Sequence, residues 1–372
     1  MAISLVRYGM ISGNIVAMSA RTGYILSQFE SHEPYPQEAI PRYIYTDMNI
    51  FITGATGFLG KELVKVLSHT KHTLHCLARE TSDIAHLKEA GARIIIGDVT
   101  HKDSLRQGME GCQWVMHLAN IYSFWEPDRS VFQRVNVDGT RNVMECAMDA
   151  GIAKVIHVST CATYGCPAQS PFTEDSEPGQ PLSEYARTKH IGDEIAWKLH
   201  QEHGLPIVMI LPAPILGAGD PKATGQYVSD LLNRRLPATM LHDASMTFVH
   251  VLDVAVAILK AAEKEGNIGE RYLLGKYRLS VREMNEMVRD ISGVSLPIFS
   301  LPDFLVMPTA GLFTLMANTF KIPPPWGMSV DQIRSIQTGI YFDGMKAEQE
   351  LGITYTPLYN AIEAMVREEM PR

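Results

Sequence analysis

Several features that would mark a specialised protein are missing from this sequence. No block of lysine and arginine is long enough to follow a phosphate backbone, and 33 Lys plus Arg stand against 41 Asp plus Glu, a formal charge of -8. No nucleic acid partner is therefore expected. The five cysteines, Cys76, Cys112, Cys146, Cys161 and Cys166, are odd in number and form neither a CxxC pair nor a Cys/His metal pattern. They read as reduced, mostly packed thiols, with no metal site. No run of apolar residues is long enough to suggest a transmembrane span. The nearest, Phe304 to Phe320, is uncharged but interrupted by Pro308, Gly311 and Asn318, and about 17 residues is the low end for crossing a bilayer. A buried helix is expected there, with peripheral membrane contact through 304–320 as the alternative. Acidic residues are absent before Glu30, while Arg7 and Arg21 are present; that is a weak version of an organellar leader. The expected location is the cytoplasm, with organellar targeting as the minority reading.

What remains is an ordinary globular composition: 372 residues, 46% hydrophobic and 20% charged, with a mean hydropathy of -0.03. Such a chain buries a substantial core and has room for about two domains. Residues 1–47 read as an N-terminal extension, since Met48 directly precedes the first apolar strand, and removing them is expected to leave a folded body. From there apolar runs (50–53, 73–77, 93–96, 114–118, 155–158, 207–211) alternate with amphipathic stretches of helical length. Alternation of this kind predicts right-handed βαβ crossovers and a parallel sheet covered on both faces. After Gly217 the rhythm breaks: one strand is expected at 246–251, a helix at 254–263, a strand at 270–274, and mostly helix from Ser280 on.

The run Thr53, Gly54, Ala55, Thr56, Gly57, Phe58, Leu59, Gly60 follows the first strand and opens a helix. Glycines spaced GxxGxxG allow a tight turn, approach of backbone amides to a pyrophosphate, and close packing of helix on sheet. This predicts a dinucleotide site. The second strand ends Leu77, Ala78, Arg79, without the acid that would bond the ribose hydroxyls of NAD about 20 residues past the glycines. A guanidinium pairs a phosphate bidentately, so NADP(H) is preferred and NAD(H) is the alternative. Asp98 and Val99, after the third strand, are placed to reach the adenine edge; Asp98 equally suits a cap. The fold expected is α/β: a doubly wound parallel (Rossmann) sheet over 48–215, with 246–275 contributing, and a smaller, mostly helical substrate domain from 216–245 and 276–372.

Tyr185 and Lys189 are spaced by four at the start of a helix expected over 183–203, which puts both on one face. A tyrosine near pKa 10 exchanges protons poorly at neutral pH, and a neighbouring ammonium favours its phenolate. The pair suits general acid/base work. Thr160 ends the fifth strand, where ligands of open α/β sheets sit, and its hydroxyl can hold a carbonyl or carbinol oxygen. His117, His157 and His250 read as core or strand-end histidines. Asp253 reads as the cap of the helix near Val254.

With these motifs the sequence resembles the extended short-chain dehydrogenase/reductase superfamily, the NAD-dependent epimerase/dehydratase group, over about 48–365. Besides TGATGFLG and YARTK it carries GDVT at 97, HLAN at 117, NVDGTRN at 136, VSTCATYG at 158, LPAPILGAGD at 211, FVHVLDVA at 248 and GERYLLG at 269. The resemblance implies Thr160, Tyr185 and Lys189 as the catalytic set. It places Leu118, Ala119 and Asn120 along the cofactor, Pro212 and Ile215 beside the nicotinamide, and Asn136 in a supporting role. Sugar-nucleotide members usually read RPxNVYG where this chain has Leu211 to Gly217, and Pro214 cannot make the asparagine's hydrogen bond. Tyr122, Phe124 and Trp125 add apolar surface. The pattern looks closer to the dihydroflavonol 4-reductase-like and hopanoid-associated subgroups. A net reductase acting on a mid-sized, largely apolar small molecule is expected. The alternatives are an epimerase or dehydratase that retains its cofactor, and a non-catalytic dinucleotide sensor. Assembly as a homodimer is left open.

Overall fold

The computed structural model describes residues 8–11, 14–17 and 47–370. The chain divides into two units, Met1–Thr46 and Asp47–Arg372. In the first, β1 (Tyr8–Ile11) pairs antiparallel with β2 (Asn14–Ala17). The remainder of the segment before Asp47 lies outside the described residues.

The second unit opens with β3 (Asn49–Thr53), α1 (Phe58–Ser68), β4 (Thr73–Ala78), α2 (Ala85–Glu89), β5 (Arg93–Ile96), α3 (Lys102–Met109) and β6 (Trp114–His117). Next, α4 (Ser130–Phe132) runs through a π-helical stretch at Gln133–Gly139 into α5 (Thr140–Asp149), followed by β7 (Lys154–Val158), α6 (Glu184–His203) and β8 (Ile207–Pro212). Then come β9 (Ile215–Leu216), α7 (Ala223–Leu232), β10 (Ser245–His250), α8 (Val251–Glu263), β11 (Arg271–Leu274), β12 (Tyr277–Ser280) and α9 (Val281–Ser292). The chain ends in α10 (Asp303–Phe320), α11 (Val330–Thr338), α12 (Met345–Leu351) and α13 (Leu358–Glu369).

Seven strands form one sheet in the order β11-β8-β7-β6-β3-β4-β5, every neighbouring pair parallel. Strands β7 and β8 are buried along their whole length. Strands covered on both faces read as continuous apolar runs rather than alternating ones. From β3 the chain steps to β4 and β5 on one side, then returns to β6 on the other. That reversal leaves a crevice at the carboxyl ends of β3 and β6, where doubly wound sheets hold ligands.

Within 246–275, α8 and β11 belong to this sheet and its covering layer, with Val254, Ile258 and Leu273 in the main core. Strand β10 instead joins a second sheet of order β12-β10-β9, antiparallel to β12 and parallel to β9. Helices α7, α9 and α13 close over that small sheet around Leu216, Phe248, Val288 and Ile362. A third core holds Val306 and Ala310 of α10 against Leu241, Met328 and Ile333.

Helix α10 is not the buried helix that its composition predicts. Val306, Ala310 and Ala317 are covered, but Phe304, Leu312, Leu315 and Phe320 are 76%, 56%, 64% and 65% exposed. The helix lies at the rim, so one of its two apolar faces has only the small third core to pack on. No helix among the described residues is long and apolar enough to cross a membrane.

Candidate functional site

The glycine turn bends back on itself between β3 and α1. Gly54 has φ +76°, and a Cβ there would stand 2.6 Å from the Ala119 nitrogen; a Cβ on Gly60 would stand 2.1 Å from the Gly54 carbonyl oxygen. Both positions therefore exclude any side chain. Gly57 caps α1 without a side-chain hydrogen bond. The first amides of α1 thus retain the donors and partial positive charge that suit an anion. Around this turn one cavity of about 620 Å³ collects Gly54, Thr56, Gly57, Phe58, Leu59 and Gly60. It also takes in Arg79 at the end of β4, Asp98 and Val99 after β5, and Leu118, Ala119 and Asn120 after β6. Asp98 accepts from the Thr100 amide at 2.9 Å and hydroxyl at 2.8 Å. It thereby shapes the turn before α3, whose N-cap is His101. Asn120 donates to the Leu118 carbonyl, while its buried Oδ1 has no partner among the described residues. A glycine cradle open to anions and an unsatisfied acceptor in the same cleft fit a dinucleotide.

Thr160 sits at the carboxyl end of β7 and caps a short 3₁₀ turn, its hydroxyl accepting from the Ala162 amide. Ser183 caps α6 by accepting from the Ala186 amide at 3.1 Å, which fixes where the first turn, and so Tyr185, begins. Tyr185 and Thr160 line the same cavity. One turn on, Lys189 is fully buried and donates to the Val158 carbonyl at 3.0 Å. The ammonium therefore lies against the backbone of β7. Burial pushes Tyr185 up, neighbouring Tyr122 adds to it, and the Thr160 side chain opposes. Burial draws Lys189 down. At neutral pH this geometry holds Tyr185 as a protonated donor.

Sequence reasoning missed what lies beneath. Asp193, one more turn along α6, accepts from the Ser159 hydroxyl at 2.5 Å and from His157 Nε2 at 2.9 Å. Burial opposes its charge, but the His157 bond, Lys189 and the Ser159 bond outweigh it and hold the carboxyl below its usual range. The signal was present in the spacing 185, 189, 193. His157 stacks on His117 at 5.3 Å between ring centroids. His117 in turn bridges Thr53 at 2.7 Å and Thr140 at 3.1 Å, so both are core histidines as expected. Asn136, in the π-helical stretch, accepts from the Ile121 amide at 2.7 Å and donates to the Thr188 hydroxyl at 3.1 Å. It ties the loop after β6 to α6.

Tyr122, Phe124, Pro212, Pro214 and Ile215 line the same cavity. The ring of Tyr122 meets Tyr185 edge-on at 5.1 Å. Trp125 does not line it: that ring turns into a neighbouring hollow and donates to Asn318 Oδ1 of α10 at 2.9 Å. The far wall, with Met240, Phe248, Trp326, Met328 and Ile336, comes from segments that no local pattern linked. Asp253 is corrected as well. Helix α8 starts at Val251, is capped by His250, and Asp253 in its first turn accepts from the Thr356 amide and hydroxyl, both at 2.7 Å.

Residues 50–275 match the model of the NAD dependent epimerase/dehydratase family. The chain belongs to that family. Among its relatives is a Synechocystis sp. protein carrying the name dihydroflavonol 4-reductase, 30% identical over 324 residues, 84% of this chain and 92% of that protein. Another is sterol demethylase protein B of Methylococcus capsulatus, 29% identical over 313 residues, 83% of this chain and 94% of the other. The crystal structure of gox2253 superposes with a TM-score of 0.74 at 30% identity, covering 87% of this chain and 98% of that one. Membership bears out the resemblance read from the motifs, and the NAD-binding Rossmann sheet with it.

Proposed function

We propose that the protein is an NADPH-preferring oxidoreductase that reduces the carbonyl of a mid-sized, largely apolar small molecule. The observation that carries this reading is the buried Tyr185, which shares with Thr160 and the glycine turn one largely apolar cavity. The bound nicotinamide would supply a hydride to the carbonyl carbon. The chain does the rest. Thr160 holds the carbonyl oxygen, and Tyr185 passes its proton to that oxygen as negative charge develops, leaving an alcohol. Lys189 and Asp193 set the charge behind the phenol. Tyr122, Phe124 and Pro214 give this part of the cavity a mostly apolar lining, which suits a substrate without a diphosphate. Arg79 supplies the cation for a 2′-phosphate. The relatives named for dihydroflavonol reduction and sterol demethylation support an apolar ring system as substrate class.

The test is purified protein with NADPH and a panel of ketones and aldehydes, followed by absorbance and product analysis, then the same with sugar nucleotides. Net NADPH oxidation with an apolar ketone is expected, and Tyr185→Phe should lower kcat by about 10²–10⁴ with cofactor affinity kept. Interconversion of a nucleotide sugar with retained cofactor would replace this reading by the epimerase one.

A further inference from the structure

Helix α10 lacks the polar outer face that a surface helix normally shows. The covered residues Val306, Ala310 and Ala317 mark one side. On the other, Phe304, Leu305, Leu312, Leu315, Met316 and Phe320 stand 41% to 76% exposed. Their spacing of three, four and seven runs along one exposed stripe, and Asp303 in the first turn is the helix's only charged residue. The stripe continues beyond both ends: Ile298 and Phe299 precede it at 96% and 74% exposure, and Ile322 and Trp326 follow at 56% and 43%. An exposed apolar patch on this scale marks an interaction surface.

The surroundings select the partner. Phe313 of α10 meets Trp326 at 6.3 Å between ring centroids, and Trp326 Nε1 donates to the Arg235 carbonyl at 3.0 Å. Exposed Arg234 and Arg235 therefore border the patch at one point, and Lys321 borders it at the end of α10. Lys321 and Arg234 have no ion pair among the described residues, and Arg235 meets Asp230 only at 3.8 Å. A chain of net charge -8 thus places cations beside this apolar surface, with the Trp326 indole at its edge. Trp326 also lines the main cavity. The hollow that holds Lys321, Pro323, Pro324 and Trp125 shares Tyr122, Phe124 and Gln332 with that cavity, so the cleft opens beside the foot of α10.

We infer that α10 and its flanks dock the protein on the surface of an anionic phospholipid bilayer, with the mouth of the cleft turned to the lipid. An apolar face rimmed by Lys and Arg, with Trp at the boundary, is what lies in the headgroup plane of a membrane. Delivery of substrate from the bilayer rests on the apolar-substrate reading above, whereas docking is measured without turnover.

The experiment is flotation of the full chain with vesicles of phosphatidylcholine, alone or with about a third phosphatidylglycerol; the anionic vesicles should bind about fivefold or more tightly. Leu312→Asp with Leu315→Asp should cut vesicle binding at least about tenfold, while NADPH titration stays unchanged and shows the fold intact. Arg235→Glu with Lys321→Glu should remove the preference for anionic lipid and leave weak binding to both vesicles. Acyl chains brominated near the headgroup should quench Trp326, and the loss of that quenching in Trp326→Phe would place the cleft mouth at the lipid. A wild-type chain that stays with the aqueous fraction, or full binding by the double aspartate variant, would overturn the proposal. So would a wild-type dimer that the aspartate pair turns into monomer, since a second copy would then cover the face.

Discussion

Tyr185 carries a proton whose departure is opposed by burial, so the residue is set for giving rather than taking at neutral pH. Reversing the reaction needs the phenolate, and oxidation of the alcohol should therefore gain with rising pH while reduction does not. Rates of both directions measured across the pH range would expose the opposite trend. Arg79 lines the cavity at the end of β4; Arg79→Glu should weaken NADPH by about tenfold or more and spare NADH, as calorimetry with both cofactors can read. Asn136 is 1% exposed and satisfies both Ile121 and Thr188. Asn136→Ala leaves the part-buried Ile121 amide without its acceptor, while the Thr188 hydroxyl keeps its bonds to the Glu184 and Tyr185 carbonyls, so urea unfolding should show a loss of about 1–2 kcal/mol. Arg79, Thr160, Tyr185 and Lys189 could be named from the sequence because each sits at a strand end or on one helical turn. The direction of the tyrosine shift could not, because it depends on how completely distant segments bury the phenol, which no local pattern states.

Helix α8 begins on an uncommon cap, His250, which accepts from the Leu252 amide at 3.3 Å. Burial draws this imidazole down to about 4. The folded value lies below the unfolded one near 6.5, so between those limits the unfolded chain binds more protons. The contribution is complete above about pH 6.5 and falls by roughly 1.4 kcal/mol per pH unit on acidification toward 4. His250→Asn keeps a capping oxygen and should flatten that slope, whereas His250→Ala should cost about 1 kcal/mol even at pH 7.5; thermal melts over pH 4.5–8 distinguish them. Every strand of the large sheet was legible, since buried parallel strands are short unbroken apolar runs between helices. The cap was not, because Asp253 near a predicted helix start satisfies the same rule as His250 three residues earlier. Nor was the outward face of α10, since composition says a helix is apolar and not how many neighbours will cover it.

Taken whole, the molecule keeps its five thiols unpaired, with only Cys166 exposed. Burial raises Cys112 to about 11 and Cys76 and Cys161 to about 12. A disulfide-exchange reagent should therefore titrate about one thiol per native chain and all of them in denaturant, with stability unaltered by reductant. The sheet order carries a consequence for synthesis. Strand β8, buried over all its residues, ends at Pro212, but its outer neighbour β11 begins only at Arg271. On a ribosome moving at about 5–20 residues per second, the β8 edge would wait roughly 3–12 s for its partner. Through that interval the nascent nucleotide half presents an unpaired, wholly apolar edge, which is a template for association with other chains. A shortened chain ending near 215 would keep that edge for good, and belongs in inclusion bodies rather than in solution.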